Sequence, residues 1–230
     1  MTTRINAVHH LAISTKDIKS QIEFFSDVLG AELVGLFWMH GVEGAWHAFC
    51  RLNDHCSISF VELPANQDVE PITGVSHAGT ADGPSAPGTM QHLALNVDSV
   101  EELLAMRDRI RSKGVNVIGH IDHGLCQSIY FGGPEGLVLE VATSDNAIDG
   151  DRWIDPEVVE LAGISSEELA RYRSPEPFTP TEEPIPQPPF DQDKPRLGYP
   201  LESYKKMLTI PDENITANAS YPNPPVPEPT

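Results

Sequence analysis

Two stretches of the chain repeat one pattern of hydrophobic and polar positions. Each opens with a short segment in which apolar and polar residues alternate, and this alternation predicts a β-strand. Each then continues with apolar residues spaced three and four apart, which predicts an amphipathic helix that Asp17 caps in the first copy and Ser99 in the second. His10 precedes Asp17 by seven residues, and His92 precedes Ser99 by the same seven. This matched offset indicates an internal duplication.

Three short strand-like segments follow each predicted helix, so each copy has the order β-α-β-β-β. They span residues 31–38, 46–51 and 56–63 in the first copy and residues 115–119, 126–131 and 137–143 in the second. The sequence therefore predicts an α+β domain over residues 1–145. In it two βαβββ modules, residues 5–66 and 88–145, pair into a half-open mixed β-barrel.

The composition changes sharply after this domain. Asp155-Pro156 and the Ser165/Glu168 capping box predict short helices within residues 146–173. Of the 21 prolines, 15 lie between Pro175 and Pro229. Because proline interrupts both helices and sheets, residues 174–230 are expected to form either an extended arm on the body or a neighbouring subunit, or a disordered tail.

The charge and the cysteine content exclude several classes of function. A formal net charge of −19, from 34 acidic and 15 basic residues, argues against binding to nucleic acid or to an anionic membrane. No apolar run approaches the length of about 20 residues that spans a bilayer. The amino terminus has no signal-peptide pattern, and three scattered cysteines fit reduced thiols. We therefore expect a cytoplasmic protein.

Three residues suggest a metal site between the modules. Alternation places His10 and His92 at equivalent positions of the first strand of each copy. If these strands lie side by side, both imidazoles enter one cavity. Glu140 is a lone carboxylate in an aliphatic strand, and burying it requires a cation or strong donors. Two histidines and one carboxylate are a typical Fe(II) ligand set, which also accepts Mn(II).

With these residues in place, the repeat resembles the vicinal oxygen chelate superfamily of glyoxalases, bleomycin-resistance proteins and extradiol dioxygenases. Residues 121–140 are similar to the signature of single-domain type I extradiol ring-cleaving dioxygenases, except that Gly133 replaces a polar residue. The resemblance covers residues 5–145. It implies a dioxygenase that uses Fe(II) and O2 to open the ring of a small catechol- or hydroquinone-like diol. It also implies a homodimer or higher homo-oligomer, with the proline-rich arm as a possible clasp.

The same resemblance implies three catalytic residues. His77 lies in a Gly/Ser/Pro-rich loop before the second ligand strand, and His123 and Tyr130 precede Glu140 within the signature. A histidine supplies a base near neutral pH that can take a proton from the diol. Histidine and tyrosine also supply hydrogen-bond donors that stabilise developing charge.

Two other functions remain open at this stage. Glu62 ends the last strand of the first copy, and as the symmetric counterpart of Glu140 it would be a fourth ligand. Such a site suits Ni(II) or Zn(II) and a glyoxalase I-like lyase or isomerase. The third possibility is a non-catalytic small-molecule binding protein with the same fold.

Overall fold

A computed structural model describes residues 4–227. Residues 1–3 and 228–230, which are the extreme ends of the predicted domain and of the predicted arm, lie outside the described residues. The chain divides into two compact units. Within the described residues, one unit comprises residues 7–170, and the other combines residues 4–6 with residues 171–227.

The first module contains four strands and one helix. Its strands are β1 (His10–Thr15), β2 (Glu32–Trp38), β3 (Trp46–Asn53) and β4 (Cys56–Glu62), and they form a sheet in the order β1-β4-β3-β2. β1 runs parallel to β4, and the other neighbours are antiparallel. Helix α1 (Ile18–Glu23) continues as a π-helical segment, Phe24–Val28, and a 3-10 turn, Pro64–Asp68, follows β4.

The second module repeats this topology. Strands β5 (Leu93–Asn96), β6 (Val117–Asp122), β7 (Gln127–Gly132) and β8 (Val138–Thr143) form a sheet in the order β5-β8-β7-β6. Helix α2 (Val100–Ser112) connects β5 to β6, and a 3-10 turn, Pro134–Gly136, precedes β8. The predicted α+β fold with two βαβββ modules is confirmed.

The helices begin where their capping residues predict. The Asp17 carboxylate accepts a hydrogen bond from the backbone N–H of Ser20 at 3.0 Å. The Ser99 hydroxyl accepts one from the backbone N–H of Glu102, whose carboxylate in turn accepts from the N–H of Asp98. These bonds satisfy backbone donors that have no partner within the first helical turn.

One hydrophobic core serves both modules. It takes Ile58 and Phe60 from β4 and Leu139 and Val141 from β8, together with apolar residues of both helices. Because strand side chains alternate, the face of each sheet opposite these residues is directed away from the core. His10 and His92 lie on those opposite faces, so the fold leaves the predicted ligand faces outside the shared core.

A single carboxylate joins the modules beside this core. Glu135, before β8, accepts hydrogen bonds from the Thr15 hydroxyl at 2.6 Å, the Gln21 side-chain amide at 2.8 Å and the Lys16 backbone N–H at 2.9 Å. Its backbone has a φ of 54°, a left-handed conformation that non-glycine residues rarely adopt. The three donors from the first module stabilise the carboxylate in that position.

In the part of the chain that the structure describes, five further helices follow the second module. They are α3 (Gly150–Trp153), α4 (Pro156–Leu161), α5 (Ser166–Arg173), α6 (Leu201–Met207) and α7 (Asp212–Ala219). Asp155 caps α4 and Ser165 caps α5, as their sequence patterns predict. The last two helices lie within the proline-rich residues 174–230, which are otherwise without helices or strands in the described part of the chain. Within residues 4–227, no helix has both the length and the apolarity needed to cross a membrane.

Candidate functional site

Glu140 is the centre of a polar cluster on the outer face of the second sheet. In the strand register it lies beside Ala94 of β5 on one side and Tyr130 of β7 on the other. The residue is only 4% exposed, and its neighbours along β8 are aliphatic. A carboxylate buried to this extent requires charged or hydrogen-bonding partners.

Three side chains that the sequence singles out form a chain of contacts with this carboxylate. His92 Nε2 lies 2.8 Å from Glu140 Oε2, and the Tyr130 hydroxyl donates to Glu140 Oε1 at 3.1 Å. The Tyr130 oxygen is also 3.0 Å from Nε2 of His123. The second module therefore brings His92, Glu140, Tyr130 and His123 into one continuous network.

The network has a defined direction of proton donation. The Tyr130 hydroxyl carries one hydrogen, and because this hydrogen points to Glu140, the tyrosine oxygen must accept from Nε2–H of His123. Burial raises the pKa of Tyr130, and the negative charge of Glu140 acts in the same direction. Tyr130 therefore stays protonated at neutral pH and donates to Glu140, while His123 donates to Tyr130.

Gln91 orients the imidazole of His92. Its side-chain oxygen contacts His92 Nδ1, while its amide nitrogen donates to the carbonyl oxygens of Ala81 at 2.8 Å and Thr80 at 3.2 Å. This arrangement directs Nε2 of His92 towards Glu140, and such outer partners are typical of metal-binding histidines. The role of Gln91 was missed in the sequence, where its position next to a candidate ligand was the only signal.

His10 does not join this network. Its ring lies beside His9, with the two Nδ1 atoms 2.9 Å apart, and beside Phe49, with ring centroids 5.6 Å apart. Across residues 4–227, no three His, Cys, Asp or Glu side chains are grouped so that they could hold a metal. One chain therefore does not group His10, His92 and Glu140 as a three-ligand site, and their role as metal ligands stays a prediction. The physical reason is that β1 and β5 are edge strands of separate sheets and do not pair with each other.

Aromatic rings surround His10 on the outer face of the first sheet. The rings of Phe37 and Phe49 are stacked with centroids 6.0 Å apart, and His47 lies 4.5 Å from Phe49. Gly35 leaves room beside both phenylalanines, because a β-carbon there would come within 3.4 Å of Phe37 and 3.5 Å of Phe49. Only the register of the strands of the first sheet places these residues on the face of His10.

His47 contributes a polar atom to this aromatic face. Its Nε2 is buried and has no hydrogen-bond partner among the described residues. Burial lowers the pKa of His47, and the charge of nearby His10 lowers it further. The imidazole is therefore neutral at neutral pH and presents an unused hydrogen-bonding nitrogen.

His77 lies in a different place from His123 and Tyr130. It lines two adjoining clefts, of about 330 and 220 Å³, together with Ser14 and Glu135. Its Nδ1 is 2.9 Å from the hydroxyl of Ser76. The structure does not bring His77 into the network of Glu140.

Glu62 differs from Glu140 in both register and partner. The residue of β4 that pairs with Ala12, two positions after His10, is Ser59, whereas Glu140 pairs with Ala94, two positions after His92. Glu62 instead pairs with Thr15, and its carboxylate accepts from the backbone N–H of Ile18 at 2.9 Å. The expected symmetry between Glu62 and Glu140 is therefore wrong, because the register shifts Glu62 three residues along the strand.

Comparison with known proteins identifies the family of the paired modules. The model of the Glyoxalase/Bleomycin resistance protein/Dioxygenase superfamily matches residues 7–141. Similar solved structures include a glyoxylase/bleomycin resistance protein/dioxygenase domain from Frankia sp. EAN1pec, with a TM-score of 0.49 at 13% identity over 61% of this chain and 99% of that one. They also include TnmS3, an antibiotic binding protein from Streptomyces sp. CB03234, with a TM-score of 0.44 at 20% identity over 62% and 99%. A third is the fosfomycin resistance protein FosX from Listeria monocytogenes, with a TM-score of 0.41 at 20% identity over 61% and 95%. With well over half of its length matched by the family model, the chain belongs to the glyoxalase/bleomycin resistance protein/dioxygenase superfamily.

Proposed function

We propose that the protein is an Fe(II)-dependent extradiol-type dioxygenase that opens the ring of a catechol- or hydroquinone-like aromatic diol with O2. The observation that carries this proposal is the donor chain from His123 through Tyr130 to Glu140, with contacts of 3.0 and 3.1 Å. A binding protein does not require such a chain of proton-carrying groups next to a candidate metal ligand. A ring-opening reaction requires one, because protons leave the diol and charge develops on oxygen.

His92 and Glu140 would supply two of the three protein ligands of a divalent metal. His92 Nε2 and Glu140 Oε2 converge within 2.8 Å, and the buried carboxylate needs a positive partner. His10 would complete a set of two imidazoles and one carboxylate, which suits Fe(II) and also accepts Mn(II). The metal would bind the diol and O2 together and lower the pKa of the ligated hydroxyl.

We assign proton handling to His123 and Tyr130. His123, which lies beside the tyrosine and is exposed at the loop, would take a proton from the diol at Nδ1, the ring nitrogen that does not donate to Tyr130. Tyr130 would donate a hydrogen bond to charge that develops on the substrate oxygen, as its raised pKa permits. His77 remains a sequence prediction, since it lies in the adjoining clefts rather than in the network.

A second copy of the chain would supply His10. Within one chain, the faces of β1 and β5 that carry His10 and His92 are open, with Ala12 and Ala94 both exposed between polar neighbours. A homodimer that places β1 of one copy beside β5 of another would bring the three ligands together. The stacked rings of Phe37 and Phe49 would then form an aromatic wall for the substrate ring.

The lyase or isomerase alternative loses its main support in this geometry. It requires Glu62 as a fourth ligand with Ni(II) or Zn(II), but the Glu62 carboxylate is engaged at the start of α1. Non-catalytic binding of a small molecule would not require the hydrogen bond between Tyr130 and His123.

The test of the proposal is aerobic turnover by protein purified anaerobically and loaded with Fe(II). With catechol or hydroquinone we expect uptake of O2 and a ring-opened product with a new visible or near-ultraviolet absorbance. Protein in which Glu140 is replaced by Gln is the matched negative control. Tight Ni(II) or Zn(II) binding with oxygen-independent turnover of another substrate, or no O2 uptake with any diol, would overturn the proposal.

A further inference from the structure

The segment that follows the family-matched residues 7–141 packs against the loop that carries His123. Trp153, the last residue of α3, lies over Gly124, the residue next to His123. A β-carbon at Gly124 would come within 3.1 Å of Cη2 and 3.2 Å of Cζ2 of the indole. The benzene edge of Trp153 is therefore in close contact with the backbone of the loop.

Hydrogen bonds within the loop, and one from Ser144 directly after β8, hold the same loop. The Gly124 N–H donates to the Asp122 carboxylate at 2.7 Å, and the His123 N–H donates to the Cys126 carbonyl at 2.9 Å. The Ser144 hydroxyl donates to the Leu125 carbonyl at 2.9 Å. These bonds define the shape of the loop and attach its carboxyl-terminal side, but they do not cover Gly124.

The remaining side of the loop borders open space. A cavity of about 290 Å³ is lined by the loop, by residues 143–149 and by Arg152 and Trp153. Because no packed side chains oppose the loop on this side, it could shift into the cavity if the indole were absent. Gly124 has a φ of 79°, a conformation that glycine adopts readily, and its lack of a β-carbon allows the close approach of Trp153.

We propose that Trp153 is a positioning residue that holds the His123 loop so that the His123 imidazole reaches the Tyr130 hydroxyl. Trp153 acts on His123 through its contact with Gly124. The placement matters because the His123–Tyr130 contact is a single hydrogen bond of 3.0 Å, and a displacement of about 1 Å removes such a bond. The part played in turnover rests on the proposed dioxygenase function, whereas the placement of His123 does not.

The test compares full-length Trp153→Ala, Trp153→Leu and Trp153→Phe proteins with wild type. The first readout is the NMR signal of the His123 ring nitrogens in substrate-free protein, assigned by its loss in His123→Gln. We expect both non-aromatic variants to shift or broaden the Nε2 signal because the bond to Tyr130 weakens, and Trp153→Phe to restore most of the wild-type signal. Trp38→Ala is the matched control, because Trp38 is 66% exposed and its ring contacts Trp46.

The second readout is steady-state turnover of the diol. We expect kcat to fall about tenfold in Trp153→Ala with a KM close to wild type, since the change misplaces a proton-transfer group rather than the substrate. An unchanged His123 signal in folded Trp153→Ala and Trp153→Leu overturns the inference, whatever the activity. An altered signal in a protein whose wild type has no dioxygenase activity upholds the inference and overturns the proposed function.

Discussion

At the scale of single residues, the decisive feature is that Tyr130 holds its proton. Burial and the Glu140 charge raise the Tyr130 pKa, so this hydroxyl donates to the carboxylate throughout the neutral range. Glu140 thereby receives a hydrogen bond from a neutral group, which does not compete with the proposed metal for its negative charge. The same carboxylate keeps its second oxygen directed at His92.

Replacing Tyr130 by Phe should slow ring opening about 10- to 100-fold, because a hydrogen bond to a charged group contributes about 1.5–3 kcal/mol. Metal content should not change, since Tyr130 is not among the proposed ligands. Steady-state kinetics together with metal analysis would check this, with the exposed Tyr172→Phe as control. Wild-type turnover in Tyr130→Phe would remove the proposed role of this hydroxyl.

Replacing Glu62 by Gln should leave turnover within about twofold of wild type, because the carboxylate caps α1 and is not a proposed ligand. The matched change Glu140→Gln should abolish metal retention and turnover, because it removes the negative charge that would balance the metal. Metal analysis after dialysis distinguishes the two variants. Equal loss of metal in both would instead support a four-ligand site.

At the scale of elements, helix α1 depends on its cap. Asp17 accepts from both the hydroxyl and the backbone N–H of Ser20, and these hydrogen bonds lower the pKa of Asp17. Helix α1 and the π-helical segment that continues it place the buried side chains of Ile18 and Phe25 in the shared core. A weaker cap should therefore reduce the stability of the core as a whole.

Replacing Asp17 by Ala should lower the free energy of unfolding by about 1 kcal/mol at neutral pH. The Asp17 pKa is lower in the folded state, so its ionised form stabilises the fold above the unfolded pKa near 3.8, and this contribution is lost as the pH falls through the folded value. The difference between variant and wild type should accordingly shrink below about pH 4. Urea unfolding between pH 3 and 7 measures it, with Asp54→Ala in an exposed turn as control. A difference that does not depend on pH would contradict the electrostatic part of the account.

At the scale of the whole molecule, both modules share one hydrophobic core, and the sheet faces that carry His10 and His92 lie outside it. The core is continuous across β4 and β8, whereas His10 and His92 lie on outer faces of sheets that do not pair. A single chain in this arrangement contains two halves of the proposed site rather than one complete site.

Mixing inactive subunits tests whether the site is shared. A heterodimer of His10→Ala and Glu140→Ala subunits would contain one intact site and one site with both changes. Random mixing should thus restore about one quarter of wild-type turnover, although each variant alone is inactive. Reassembly after mild dissociation, followed by an O2 uptake assay, provides the measurement. No recovery, despite exchange verified by mass spectrometry, would mean that the three ligands come from one chain.

The sequence by itself determined the two βαβββ modules, because alternation, helical periodicity and caps such as Asp17 and Ser99 are local properties. The resemblance singled out His92, Tyr130 and Glu140 as site residues, and the structure places them on or next to neighbouring strands of one module. Only the tertiary structure decided that His10 stays apart, that Glu62 lies three residues out of register and that Trp153 packs on the His123 loop. These outcomes depend on how sheets pack and which strands pair, and such long-range contacts leave no periodic pattern along the chain.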